Sequence, residues 1–489
     1  MQQRLPRAAG RLVRPRTWPE QVRDLALVVG IAALYRLVVL TVSSAPLFFS
    51  DSGGYIVRAV RPVVFWDRPI GTGLFYDAAL AVWHHPLAIV AAQTLLGLAV
   101  VAMAHRTAAV HLDLPRRWAI GVALLVGLAP SNLFFERLYM SESLSATLTM
   151  AAVLVLGECL RRPAWWRWCG LGLVLAAGVL VRLQLTVTSL ALLGALVLLW
   201  RSAPWWRRLV AAALVTASAA VPLLLYAQAL GDAERAAHGE ADNALSYADG
   251  ISLFAKVAPL LRCPPDADAG RLTRDLCDAG PEYLANPNEI VWGGQGKPVA
   301  DMLRDDGGFA TNEALRAEAR AIIKSDPAGY AGTVVDTLVQ SFTIRDPEAG
   351  TFSADPQDLN PGVGKDLRRV FGVQPEDWTV PEADEAAFWA AAHTAWNGVR
   401  QAAWLGTAAA LALALALGGR RARPDAARDL VAVVATALVL TVVGVALNAS
   451  MAIPRYWYPY EAPAWLLTAW VSALLAATVR SRGARARSD

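Results

Sequence analysis

Apolar residues in this chain come in long blocks, not in the short alternations or amphipathic stripes of a water-soluble fold. Residues 25–42 carry a single charge, Arg36, and residues 170–200 carry a single charge, Arg182. Apolar blocks of about 18 or more residues are long enough for a helix to cross ~30 Å of hydrocarbon. The pattern predicts ten spans, at 24–44, 86–104, 118–134, 139–160, 168–182, 184–200, 208–230, 394–418, 428–449 and 461–479. Around Arg182 the long run is read as two short helices, with one 31-residue helix as the alternative.

Arginine placement tests that count, because short cytoplasmic loops of membrane proteins are enriched in Lys and Arg. With the N-terminus inside, cytoplasmic loops hold Arg106, Arg116 and Arg117, then Arg161, Arg162 and Arg167, then Arg201, Arg207 and Arg208, then Arg420, Arg421, Arg423 and Arg428. The opposite short loops hold fewer. Merging the two spans at Arg182 would put later arginine clusters and the basic tail outside, so ten spans are favoured. Trp165, Trp166, Trp168, Trp205 and Trp206 fall where an amphipathic indole is stable, at the headgroup level. The predicted organisation is a basic cytoplasmic arm at 1–23, a seven-helix membrane core at 24–230 with a first outer loop at 45–85, an extracytoplasmic domain at 231–393, three more spans at 394–479 and a basic tail at 480–489. The fold class is therefore a polytopic α-helical protein of the cytoplasmic membrane. No cleavable signal peptide is expected, since the first apolar segment is long enough to span and stay.

Composition adds little: 55% of the 489 residues are hydrophobic, and the net charge is +4. Of four cysteines, Cys263 and Cys277 lie in the outer section, an oxidising compartment where a disulfide between them is expected. Closing that loop would contribute roughly 3 kcal/mol in the chain-entropy model. The six histidines show no zinc-ligand spacing. Within 312–325 the pattern is that of an amphipathic helix.

Candidate chemistry sits at the outer face. The first outer loop reads Phe48-Phe49-Ser50-Asp51-Ser52-Gly53-Gly54-Tyr55, which puts a carboxylate just beyond the first span. Asp51 is read either as a general base or substrate ligand, or, with Ser52, as a helix cap. Asp67 and Arg68 read as a surface pair. Glu142 opens an apolar helix, where an ionised carboxylate needs a partner or a wet cavity, or is favoured by the helix dipole. Arg182 and Arg455 stand near the outer headgroups, where a guanidinium suits a phosphate or an ordinary lipid headgroup. Arg36, mid-span, has to pair or snorkel.

The order of these features resembles the GT-C glycosyltransferases that use polyprenyl-phosphate sugars, in the branch of dolichyl-phosphate-mannose-protein mannosyltransferase-like and aminoarabinose-transferase-like bacterial proteins. The resemblance rests on Asp51-Ser52-x-x-Tyr55, Arg68-Pro69-Ile70-Gly71, Ala92-Gln93-x-Leu95-Leu96-Gly97, Met140-Ser141-Glu142-Ser143-Leu144 and Arg455-Tyr456-x-x-Pro459. The stretch from Leu253 to Pro259, with Cys263, is similar to actinobacterial members. The resemblance implies a GT-C-like fold and inverting transfer of a sugar from a polyprenyl phosphate to an envelope glycan, lipid or protein acceptor. It further implies Asp51 as base, Glu142 as an active-site carboxylate, and Arg455, with Arg182, as donor-phosphate ligands. Several family members carry a second acid close to the first, and here Ser52, Gly53 and Gly54 follow instead, so divalent-metal use stays open and no cofactor is assigned. Membrane lipids are expected partners and nucleic acid is not. The alternatives are a lipid or polysaccharide transporter, disfavoured by the absence of internal repeats, and a non-catalytic envelope scaffold.

Overall fold

The computed structural model describes residues 17–42, 46–49, 51–60, 67–264, 271–286, 290–291, 296–343, 352–353, 368, 370–371, 383–418, 425–449 and 454–485. The chain is a polytopic helical membrane protein. Seven of its described helices are long and apolar enough to cross a bilayer, among them Trp205–His238 and Ala426–Asn448. An eighth crossing would be the pair α5 (Arg116–Gly127) and α6 (Pro130–Arg137), which bend by 41°. The bend has a local cause. Ala129 precedes Pro130 and takes an extended ψ of 126°, and Pro130 then starts the next helix, where its missing N–H costs nothing.

The run around Arg182 is two helices, α8 (Trp165–Val181) and α9 (Leu185–Leu199), of 17 and 15 residues. Arg182 itself is extended, with φ −152° and ψ 117°, so the 31-residue alternative does not form. Each of the ten predicted segments carries a helix, or in one case the bent pair. Of the seven long apolar helices, α7 (Glu142–Arg161) and α18 (Ala426–Asn448) are the most enclosed, each 67% buried across its apolar window. Trp165, Trp166, Trp205 and Trp206 are exposed at helix starts, as interfacial anchors are. Trp168 departs from that pattern: it is buried and packs on Trp200, with ring centroids 5.2 Å apart.

The charge in the middle of the first helix is paired. Arg36 on α1 (Trp18–Val42) meets Glu136 at 2.6 Å, and its Nη1 donates to the Gly127 carbonyl at 2.8 Å. Gly97 on α4 (Pro86–Arg106) permits this pair, because a Cβ there would sit inside the Glu136 carboxylate.

The hydrophilic middle section is helical with its own small core. Helix α11 (Asp249–Val257) packs on α15 (Gly307–Ser325), burying Ile251, Phe254, Leu315, Ala319 and Ile322. The approach is close because residue 250 is glycine; the Asn312 side chain accepts from the Gly250 and Ile251 N–H groups at 2.7 and 3.4 Å. Cys263 and Cys277 form a disulfide, with Cα atoms 5.7 Å apart. The sequence boundaries at 230/231 and 393/394 fall inside continuous helices, α10 (Trp205–His238) and α17 (Ala383–Gly418). At 34 residues, α10 is about 50 Å long, more than the ~30 Å of a hydrocarbon layer, so it projects beyond the bundle.

Candidate functional site

Two segments far apart in sequence are laced together before they deliver their acids. The Leu47 N–H donates to the Arg137 carbonyl at 2.9 Å, and the Tyr139 N–H donates to the Leu47 carbonyl at 3.1 Å, a parallel bridge between Leu47 and Leu138. On the far side, Phe48–Phe49 pairs antiparallel with Phe352–Ser353. Aromatic packing fixes the junction: Phe48 meets Tyr139 edge-on at 5.1 Å, and the Tyr76 hydroxyl donates to the Met140 carbonyl at 3.0 Å.

Beyond this junction the chain opens a cavity of about 620 Å³. Asp51, Tyr55 and Arg68 of the first loop line one wall, and Glu142, Arg182 and Gln184 line another. Tyr456 and the end of α18 close it on the bundle side, and Ser246, Asp249, Ser252 and Arg316 face it from the middle section.

Asp51 starts the turn into α2 (Ser52–Val60), and its Oδ1 lies 2.9 Å from Arg68 Nη2. Arg68 also holds Asp67 through Nε at 2.9 Å and lies over the Tyr55 ring at 5.2 Å, and Asp67 in turn meets Arg58 at 2.7 Å. Burial works against the charge on Arg68, but Asp51, Tyr55 and Asp67 together outweigh it and hold its pKa above the ordinary guanidinium value. The surface-pair reading of Asp67 and Arg68 is thus corrected. Their side chains are only 12% and 13% exposed, and both line the cavity.

Glu142 is the first residue of α7 and is fully buried. Its Oε1 pairs with Arg182 Nη1 at 2.7 Å, while Oε2 has no hydrogen-bond partner among the described residues. Arg182 is available because the break between α8 and α9 leaves it extended, and it lies over the Tyr456 ring at 5.2 Å. The Gln184 side chain donates to the Tyr456 carbonyl at 2.9 Å, fastening that break to the 3-10 segment Pro454–Tyr460. Arg455 belongs to this segment, next to Tyr456; its side chain lies outside the described residues.

Three of the four predicted site residues, Asp51, Glu142 and Arg182, therefore line one cavity, each acid held by an arginine. Sequence reasoning missed Arg68 as the partner of Asp51, and also the wall contributed by Asp249 and Arg316, which form an ion pair of 2.7 Å. The proximity of Arg68 to a Pro/Gly turn in the same loop as Asp51 was the available signal. Among the described residues, no group of three or more His, Cys, Asp or Glu side chains is placed to hold a metal ion. No protein-family model, curated protein or solved structure matches this chain.

Proposed function

We propose that this protein is a GT-C-type inverting glycosyltransferase that moves a sugar from a polyprenyl phosphate to a hydroxyl acceptor on the outer face of the cytoplasmic membrane. The observation that carries the reading is one cavity at the edge of an apolar bundle, walled by two separate carboxylate–arginine pairs, Asp51–Arg68 and Glu142–Arg182. On this reading the chain crosses the membrane ten times, with its N-terminus and arginine-rich loops inside and the middle section outside.

The reaction balances without a further reactant. The acceptor oxygen forms a bond to the anomeric carbon and gives its proton to Asp51. The bond from that carbon to the phosphate oxygen breaks, and the lipid phosphate leaves with the electron pair. Arg68 holds the Asp51 carboxylate at the cavity wall, and general-base action is worth about 10²–10⁴-fold. Arg182, with Arg455 proposed beside it, would offset the charge gained by the departing phosphate, where fixed cations are most effective. Glu142 holds the Arg182 guanidinium toward the cavity.

The test is transfer of radiolabelled sugar from a panel of polyprenyl-phosphate sugars in membranes with and without the protein, with Asp51→Asn alongside. Label should reach an envelope fraction only with the wild type. Wild-type activity in Asp51→Asn would remove the base assignment. No transfer from any donor, with folded protein and acceptors present, would shift the balance to a transporter or a scaffold.

A further inference from the structure

A second polar cavity, of about 800 Å³, lies at the other end of the same helices. Helix α7 carries Glu142 at its start and Arg161 at its end, so the two cavities are separated by its 20 residues, about 30 Å. This cavity is distinct from the candidate active site; its placement on the cytoplasmic side rests on the topology proposed above, and not on the reaction proposed there.

Four arginines reach it, Arg106, Arg161, Arg162 and Arg207, together with three carboxylates. Each carboxylate is already engaged. Glu158 takes Arg106 at 2.8 Å, Asp113 takes Arg161, and Asp425 accepts from the Ala427 and Arg428 N–H groups as the cap of α18. Arg162 and Arg207 have no ion pair among the described residues. Both are exposed, and the Arg207 guanidinium lies over the Trp206 ring at 5.1 Å; the loops that carry the cavity are held by a buried contact. Asp429 on α18 is 2% exposed and accepts from the Ser202 N–H at 3.0 Å, which pins the turn before Arg207 across to the far helix. Trp18, exposed, lines the opening as indoles do at headgroup level, while Trp200 lines it from within the core.

We propose that this cavity binds the phosphate of an anionic phospholipid headgroup, held by Arg162 and Arg207. Forked, charge-assisted hydrogen bonds from guanidinium groups match phosphate oxygens. Basic pockets between membrane helices on the cytoplasmic side are suited to anionic headgroups. An opening at helix ends with the exposed Trp18 on its rim favours a lipid over a soluble phosphate.

The test uses the full chain in detergent, with retained lipid counted by native mass spectrometry after addition of phosphatidylglycerol or phosphatidylcholine. The wild type should retain phosphatidylglycerol at least tenfold more readily. The Arg162→Gln, Arg207→Gln double variant should lose at least fivefold of that retention at an unchanged melting temperature. A control pair on the same face but outside the cavity, Arg201→Gln with Arg428→Gln, should lose less than twofold. Equal losses in the two double variants, or no loss in the first, would overturn the site. Full displacement of the lipid by equimolar glycerol phosphate would overturn the lipid as its source.

Discussion

Leu47 and Leu138 form a parallel backbone bridge, and each is followed four residues later by a cavity acid, Asp51 and Glu142. The equal offset means that one pair of hydrogen bonds sets the relative position of two carboxylates 91 residues apart in sequence (142 − 51 = 91). The arginines then arrive from elsewhere, Arg68 from a turn and Arg182 from a helix break. Acids placed by backbone and cations placed by loops are separable by mutation, and the predictions use that separation.

Arg68→Met should leave Asp51 and Asp67 facing each other's charge without their shared cation. Removing one partner of a fully buried pair costs about 3–5 kcal/mol, and partial exposure here brings the expected loss nearer ~2 kcal/mol. Sugar transfer should fall at least tenfold, and Arg68→Lys, which keeps charge but loses the fork, should recover only part of it. A thermal melt and an assay on the same preparation decide this; full activity in Arg68→Met would disconnect Arg68 from Asp51.

Gly97→Ala should destabilise the bundle by about 2–4 kcal/mol, because the added methyl must drive Glu136 away from Arg36 and leave a buried charge unpaired. Gly121→Ala is the matched control: a Cβ there meets nothing within 4 Å, so the change should be near neutral or slightly stabilising. Equal melting temperatures for the two variants would contradict the packing account.

Lys256 supplies a pH signature. Its ammonium is buried where α11 meets the end of α18, donating to Thr337 Oγ1 at 2.6 Å and to the Ala449 carbonyl at 3.1 Å. Burial pushes its pKa down to about 8 from 10.5, against a smaller opposing pull from Asp336. Between those values the unfolded chain holds the proton and the folded chain does not. Stability from this group therefore rises as pH climbs from about 8 toward 10.5, and is flat below that window. Comparing melting temperatures of the wild type and Lys256→Met at pH 7 and pH 9.5 should show the difference moving in favour of the wild type. A pH-independent difference would exclude the shift.

Reducing Cys263–Cys277 should loosen the middle section by roughly 3 kcal/mol and leave the bundle intact. Limited proteolysis should then cut faster within 239–343 under reductant, with the helices of the bundle protected as before. Cleavage that ignores the reductant would show that the bridge carries no stability.

Much of this architecture was legible because lipid-facing sequence is constrained along its whole length. Ten apolar segments marked ten helical positions, and the single charge at Arg182 marked a real break. The start of α7 at Glu142 was legible too, since a charge beginning an apolar run has few places to go. Pairing was not legible. Arg36 needed a partner, yet nothing local pointed to Glu136, 100 residues away. Arg68 and Asp67 are sequence neighbours whose alternation across Asp51 and Arg58 depends on how the loop folds back. That the domain edges at 230/231 and 393/394 fall inside continuous helices was not legible for a related reason: hydropathy changes where the surroundings change, whereas a helix continues as long as its hydrogen bonds do.

That continuity has a mechanical consequence. The last turns of α10 leave the apolar bundle, and Glu234 there accepts from the Phe309 N–H at 3.0 Å, near the start of α15. The central helix of the middle section is thus bolted to a rod rooted in the bundle, not hung from a flexible leash. A water-soluble excised version of the middle section would need to begin upstream of Glu234. Begun at Gly239, where φ of 92° ends the rod, it would leave that bolt behind.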